Sequence, residues 1–111
     1  MLGSQKLGAF DLMVLLALIR LHDEAYGVSI ARAIEEGTGQ SVALATMYVT
    51  LGRLENKGLI KSRLGEPTAE RGGRAKRYFR VTAKGVREVR EARRLLTSLW
   101  NGLPIVAGDN T

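Results

Sequence analysis

The sequence predicts a mainly α-helical fold with one small β-hairpin. Its first 58 residues contain three apolar segments of helical periodicity, separated by short breaks that are polar or rich in glycine. A basic segment over residues 71–80 then alternates like a β-strand. A final segment repeats apolar residues at three- and four-residue steps, which is typical of a helix that packs against another helix. Three helices, a hairpin and one further helix are therefore expected in that order.

The first helix is expected over residues 7–21, where apolar side chains occupy almost every position. A buried β-strand is the alternative, but the length of the segment and its Leu, Ala and Met content favour a helix. Because the segment is apolar nearly all round, more than one of its sides should be buried. One side can enter the core, and a second subunit is the simplest cover for the other, with Leu12 and Leu16 as interface candidates.

A second helix is expected after a polar break at residues 22–25. It runs from Tyr26 to about residue 36. Its inner stripe is predicted to consist of Val28, Ala31 and Ile34, which recur at three-residue steps. The Gly-Thr-Gly-Gln segment that follows is predicted to be a turn.

The third helix is predicted over residues 43–57 and ends at Gly58, a residue type that commonly terminates helices. Its inward side repeats at helical spacing through Met47, Leu51 and Leu54. Its opposite side repeats at the same spacing through Thr46, Thr50, Arg53 and Lys57. Three helices with a short turn before the third match a helix-turn-helix.

A β-hairpin is predicted directly after the third helix. Residues 59–64 alternate like a strand, residues 65–73 form a loop, and residues 74–81 form the returning strand. Gly72 and Gly73 suit a tight turn, because glycine adopts a positive φ without a Cβ clash. A hairpin in this place is the wing of a winged helix-turn-helix.

The returning strand of the hairpin is strongly basic. Residues 71–80 carry no acid and five cations, which are Arg71, Arg74, Lys76, Arg77 and Arg80. Phe79 falls on the opposite face from Lys76, so the hairpin can dock one side on a core and present charge to a polyanion such as DNA. An ordinary solvated hairpin is the alternative. It is weakened because no acid occurs between Arg71 and Arg87.

The distribution of charge along the chain also indicates a nucleic-acid partner. The chain has 111 residues, a formal net charge of +6 and a pI of about 10.2. Residues 1–58 hold five Lys and Arg against six Asp and Glu, a balance of −1, whereas residues 59–111 hold twelve against five, a balance of +7. Such asymmetry is typical of a protein with a face for nucleic acid.

Several function classes receive no support from the sequence. The chain has no cysteine and one histidine, so neither a thiolate metal site nor a histidine cluster is expected. No acid–base constellation or phosphate-binding loop indicates an enzyme, and no cofactor is expected. The longest apolar run, residues 12–19, is too short to span a bilayer and lacks the flanks of a signal peptide. A cytoplasmic protein is therefore expected.

The last helix is predicted over residues 83–103, with Thr82 as its N-cap. Apolar residues form a seam along one side: Val89, Ala92, Leu96, Leu99 and Leu103. Because so small a domain has little core left to cover, the seam should face a second subunit, whereas the alternative is that it folds back on its own domain. The predicted divisions are a winged helix-turn-helix domain at 1–81, a dimerisation helix at 82–107 and a flexible tail at 108–111.

Four stretches of the chain resemble the PadR family of bacterial transcriptional regulators. They are LGAFDLMVLLAL at residues 7–18, the Tyr-Gly pair at residues 26–27, TMYVTLGRLENKGLI at residues 46–60 and GGRAKRYFRVTAKG at residues 72–85. The four stretches follow the order and spacing of the family and together cover about residues 7–100.

The resemblance implies a homodimeric repressor that reads an inverted-repeat operator in double-stranded DNA. The third helix would enter the major groove, and the wing would approach phosphates or the minor groove. The candidate DNA-binding residues are Thr46, Tyr48, Thr50, Arg53, Lys57, Arg71, Arg74 and Lys76. Tyr48 either bonds a phosphate or packs against the second helix. The alternative function is a winged-helix module for protein–protein contact alone, which would not need an acid-free basic wing.

The resemblance further implies the short subfamily, some of whose members hold flat hydrophobic drugs between their two subunits. Trp100 is then a candidate platform for a small hydrophobic effector, and packing in the dimer core is the alternative role for its ring. One departure from the family pattern is the pair Ala43 and Ala45, where relatives often show Ser and Gly. It removes a helix N-cap oxygen, which Ser41 could supply if the helix began earlier.

Overall fold

The computed structural model of the protein describes residues 7–66 and 75–104. Arg71 and Arg74, the glycines at 72 and 73, and the predicted tail lie outside the described residues. The elements are α1 (Ala9–Leu21), a 3-10 turn (His22–Glu24), α2 (Gly27–Thr38), α3 (Leu44–Asn56), β1 (Ile60–Leu64), β2 (Arg77–Val81) and α4 (Ala83–Trp100). This architecture confirms the predicted fold class, which is mainly α-helical with one small hairpin.

One side of α1 forms the centre of the core. Val14, Leu15 and Leu18 are buried, and they pack with apolar residues of α2, α3 and the hairpin. The opposite side of α1 exposes Leu16 and Ile19 to solvent. The helix is therefore buried on one side within this chain, and its other side remains an apolar surface.

The inner stripe of α2 differs from the predicted one. Ile30 and Ile34 are buried together with Gly27, whereas Val28 is exposed. The ring of Tyr48 packs against Gly27 and occupies the space that a Cβ there would need. Residues 27, 30 and 34 are also neighbours on one helical face, so the periodicity alone did not distinguish the two rotations.

The boundaries of α3 follow the predicted turn chemistry. Gly39, with a φ of 78°, ends α2, and Gly58, also with a φ of 78°, follows the last turn of α3. Ala43 is the N-cap of α3, and no side chain accepts a hydrogen bond there. Ser41 therefore does not replace the missing cap oxygen.

The two strands form an antiparallel hairpin that packs on the core through one face. The register pairs Ile60 with Val81 and Ser62 with Phe79, and the Phe79 side chain is buried. The Phe79 backbone N–H donates to the carbonyl of Ala25 at 2.8 Å, and Ala25 itself is completely buried. Residues 22–25, predicted to be a polar break, thus contain a buried residue, Ala25, that attaches β2 to the helices.

The start of α4 is fixed tightly to the hairpin. Thr82 is the N-cap of α4, as predicted. Its Oγ1 accepts from the Gly85 N–H at 3.1 Å and donates to the Gly58 carbonyl at 2.7 Å. Gly85 allows the close approach, since a Cβ there would overlap the carbonyl of Leu59.

The second half of α4 leaves the domain surface. All residues from 93 to 100 are exposed, and the helix ends at Trp100, three residues before the predicted end. In the described residues α4 does not fold back along its whole length. None of the helices described is long and apolar enough to cross a membrane.

We expect Thr82→Ala to lower the free energy of unfolding by about 1 kcal/mol, because loss of an N-cap side chain typically has that effect. Urea denaturation followed by circular dichroism measures it. Thr97→Ala, on the exposed part of α4, is the matched control and should change stability by less than about 0.5 kcal/mol. Equal effects of the two substitutions would contradict the capping role of Thr82.

Candidate nucleic-acid interface

The outward side of α3 is an uncharged stripe. Ala45, Val49, Gly52 and Asn56 follow one another at steps of four, three and four residues, and all are exposed. They lie opposite the buried Met47, Leu51 and Leu54, whose inward orientation was correctly predicted. We call these four exposed residues the neutral strip.

Thr50 does not lie on the exposed side of α3, and the prediction that placed it there is wrong. Only 3% of its surface is exposed. Thr50 follows Met47 by three residues and precedes Leu54 by four, so it shares their buried face. Thr46 and Arg53, from the same predicted set, are exposed beside the neutral strip.

Arg53 is held by an acid from the first helix. Its Nη1 donates to Oδ2 of Asp11 at 3.0 Å, and this hydrogen bond raises the pKa of Arg53. The Asp11 side chain is buried, whereas the guanidinium remains partly accessible to solvent. This contact joins α3 to α1.

Tyr48 lies on the other flank of the neutral strip. Its hydroxyl end packs at Gly27, the first residue of α2, and about half of its surface remains exposed. Packing against α2 was one of the two predicted roles. The exposed part of Tyr48 lies beside the neutral strip of α3.

The loop end of the two hairpin strands carries a cluster of aromatic rings and cations. Tyr26 and Tyr78 meet edge to face with centroids 5.6 Å apart, and the Lys76 ammonium lies 4.0 Å from the Tyr26 centroid. The Arg63 guanidinium lies 4.9 Å from the Tyr78 centroid. These cation–π contacts hold two positive charges at the wing without neutralising them.

Two other cations of β2 have polar partners within the chain. Arg80 lies 3.5 Å from Asp23 of the 3-10 turn. Arg77 shares the strand parity of Phe79, the residue predicted to face the core. It is nevertheless exposed and donates to Oγ of Ser62 at 3.1 Å. That hydroxyl donates to Oε2 of Glu55 at 2.9 Å, so a hydrogen-bonded chain connects the wing to the last turn of α3.

Lys57 caps the end of α3 and is only half-buried. Its carbonyl accepts a hydrogen bond from the Lys84 ammonium at 3.0 Å. A cation near the C-terminal end of a helix is also favoured by the helix dipole. Lys57 and Lys84 therefore place two positive charges at the junction of α3, the hairpin and α4.

The predicted dimer surface is exposed in the single chain. Leu96, Leu99 and Trp100 have more than half of their surface accessible, and Leu103 is also exposed. Val89 and Leu12 are half-buried against the domain, and Leu16 is exposed. On the polar side of α4, a hydrogen bond from Arg94 lowers the pKa of Glu91.

Sequence reasoning missed three residues that shape this surface. Asp11 was unassigned, although a single acid inside an otherwise apolar helix is a signal for a buried partner. Val49 was overlooked because it is an apolar residue on the face next to the predicted one. Arg63 was not grouped with the wing cations, although the hairpin register places it directly opposite Tyr78.

A helix-turn-helix with a basic wing and an exposed face on its third helix is the architecture of a DNA-binding protein. Consistent with it, the model of the "Transcriptional regulator PadR-like family" matches residues 15–91. A comparison with curated protein sequences gave no match.

Several solved structures are similar to the chain. A transcriptional regulator from Clostridium thermocellum is 28% identical, with a TM-score of 0.67 over 80% of this chain and 83% of that one. A PadR family regulator from Eggerthella lenta is 26% identical, with a TM-score of 0.68 over 88% and 83%. A PadR family regulator from Clostridium difficile is 27% identical, with a TM-score of 0.67 over 85% and 96%.

The chain belongs to the PadR-like family of transcriptional regulators. It is accordingly a regulator of transcription and not an enzyme, and DNA is the partner that its family and fold support. The resemblance found in the sequence is thereby confirmed.

Asp11→Asn should lower the free energy of unfolding by about 1 kcal/mol, because it weakens a charge-assisted hydrogen bond to a half-exposed guanidinium. Urea denaturation at neutral pH measures the loss. Asp23→Asn is the control, since it removes an equal charge from the exposed pair with Arg80 and should change stability by less than about 0.5 kcal/mol. If Asp11→Asn and Asp23→Asn had the same stability, the Asp11–Arg53 pair would not anchor α3.

Proposed function

We propose that the protein is a homodimeric repressor that binds an inverted-repeat operator through α3 and the hairpin. The observation that carries this proposal is the exposed side of α3, which is uncharged along its centre and has hydrogen-bonding or cationic groups at its flanks. Thr46 and Arg53 lie on one flank and Tyr48 on the other. An uncharged centre suits contact with base edges, and the flanking groups suit phosphates.

The hairpin supports the same surface. Its link from Arg77 through Ser62 to Glu55 joins it to α3, so the two elements would approach DNA together. Lys76 at the loop end of the hairpin strands and Lys57 at the end of α3 are the described cations that we assign to phosphates. Arg71 and Arg74 are further candidates. Thr50 is omitted because it is buried.

A second copy of the chain is the partner that we propose for the apolar side of α4. Leu96 and Leu99 are exposed on a helix whose second half has no cover in the described chain, and Leu16 of α1 adds a further exposed apolar surface. Burying these side chains in a dimer would remove apolar area from water. A two-fold dimer would place two α3 helices about 34 Å apart, in successive major grooves.

Trp100 belongs to the same exposed side of α4, with 61% of its surface accessible. A second copy could cover the ring entirely, or it could leave a space beside it for the flat hydrophobic effector that the family resemblance implies. Quenching of the single tryptophan by planar dyes distinguishes the two arrangements.

DNA binding should weaken steeply with salt, because the interface neutralises several phosphates. We expect Lys76→Ala to weaken operator and random DNA alike, and to flatten the salt slope by about one per protomer. Fluorescence anisotropy over a series of salt concentrations measures both effects.

Arg90→Ala, which removes the same charge from the polar side of α4, is the control for Lys76→Ala and should leave the slope nearly unchanged. Binding that does not depend on salt would contradict the assignment of the wing to phosphates.

A footprint on the DNA upstream of the protein's own gene would test the choice of operator.

Leu96→Asp should yield monomers, because it places a carboxylate in the proposed apolar interface. Sedimentation velocity at micromolar concentration measures the state of association. Leu64→Asp is a close control, since Leu64 in β1 is 61% exposed and Leu96 is 60% exposed in the single chain. A wild-type protein that sediments as a monomer, or a Leu96→Asp variant that remains dimeric, would contradict the proposed interface.

A further inference from the structure

The neutral strip contains one side chain that projects strongly into solvent. Val49 is 70% exposed, which makes it the most exposed large apolar residue of the described chain outside α4. Its strip neighbours, Ala45 and Gly52, have small side chains or none. Val49 is therefore the apolar group that a molecule approaching α3 would meet first.

The surface next to Val49 is open. A Cβ built at Gly52 would meet no atom of the described residues within 4 Å, so none of them fills the space one turn along the strip. A flat object can thus approach the helix backbone at Gly52 while it contacts the Val49 methyl groups. The edge of a base pair has that shape.

The fold itself gives no reason for a valine at this position. The side chain takes no part in the core, whose α3 members are Met47, Leu51 and Leu54. A β-branched residue is also a weaker helix former than alanine. The exposed apolar sides of α1 and α4 account for dimer formation without α3.

The charges around Val49 favour a nucleic acid over an apolar protein partner. From residue 44 to residue 54, α3 has no acid and a single cation, Arg53. Glu55, the acid of this helix, is engaged by Ser62 of the hairpin. An uncharged centre bordered by Thr46 and Arg53 on one side and by Tyr48 on the other matches a base edge between phosphates.

We propose that Val49 determines operator specificity by contacting the C5-methyl group of a thymine in each half-site. Thymine is the base that presents a methyl group in the major groove, and a valine has no hydrogen-bonding group with which to read another base. The partner of the neutral strip is thus an A·T pair in a fixed place in each half-site. This inference rests on the proposed function, in which α3 enters the major groove.

Replacement of thymine by deoxyuridine tests the contact, because it deletes the methyl group and keeps every hydrogen-bonding group. An operator is first selected from random duplex DNA with the wild-type protein. Each thymine of that operator is then replaced symmetrically in both half-sites. We expect one replacement to weaken wild-type binding by about fourfold per half-site, the effect of one lost buried methyl group.

Val49→Ala should bind the thymine operator more weakly than the wild type and should be insensitive to that same replacement. Val28→Ala is the matched control, since it truncates an exposed valine on α2 and should keep the full wild-type sensitivity. A urea midpoint within error of the wild type confirms that Val49→Ala is folded. Selection repeated with Val49→Ala should no longer favour thymine at the assigned position.

The inference is overturned if every deoxyuridine replacement affects the wild type and Val49→Ala equally, or if none affects the wild type. In both cases the selected operator would still bind, and the proposed function would stand. A selection that yields no preferred sequence would instead reject sequence-specific binding, and with it the role of Val49.

Discussion

The burial of one side of α3 against α1 and α2 is the constraint on which the rest of the structure depends. Met47, Leu51 and Leu54 enter the core, and their burial fixes the rotation of the helix about its axis. That rotation decides which residues face outward, and it places Ala45, Val49 and Gly52 at the centre of the exposed side. The neutral strip is therefore a consequence of packing on the other side of the same helix.

Polar contacts then fix the elements that surround α3. Asp11 holds Arg53 from α1, and Glu55 holds Ser62 of the hairpin, so both flanks of the helix have a partner. Such contacts contribute modestly to stability when they are half-exposed. Their larger effect is geometric, because they hold the cations and the wing in a defined position relative to the neutral strip before any DNA is bound. The cation–π contact of Lys76 with Tyr26 acts in the same way at the loop end of the hairpin strands.

The structure also leaves apolar sides of α1 and α4 exposed. The first half of α4 is attached to the hairpin through Thr82 and Gly85, whereas Leu96 and Leu99 have no cover in the described residues. A small domain gains little from the second half of a helix when that half covers none of its own core. These exposed side chains are the surface for which we propose a second copy of the chain as the partner.

The sequence by itself determined the order of the elements, the helix-ending glycines, the Thr82 cap and the inward stripe of α3, because each depends on local backbone chemistry or on a periodicity within one segment. Tertiary structure decided which side of each helix is buried and how broad that side is. Thr50 is buried although it was predicted to lie on the outward side, and Val49, which belonged to neither predicted stripe, is exposed. The width of a buried face depends on the neighbouring helices. The partners of Asp11 and Ala25 likewise come from distant segments, and no local pattern could have identified them.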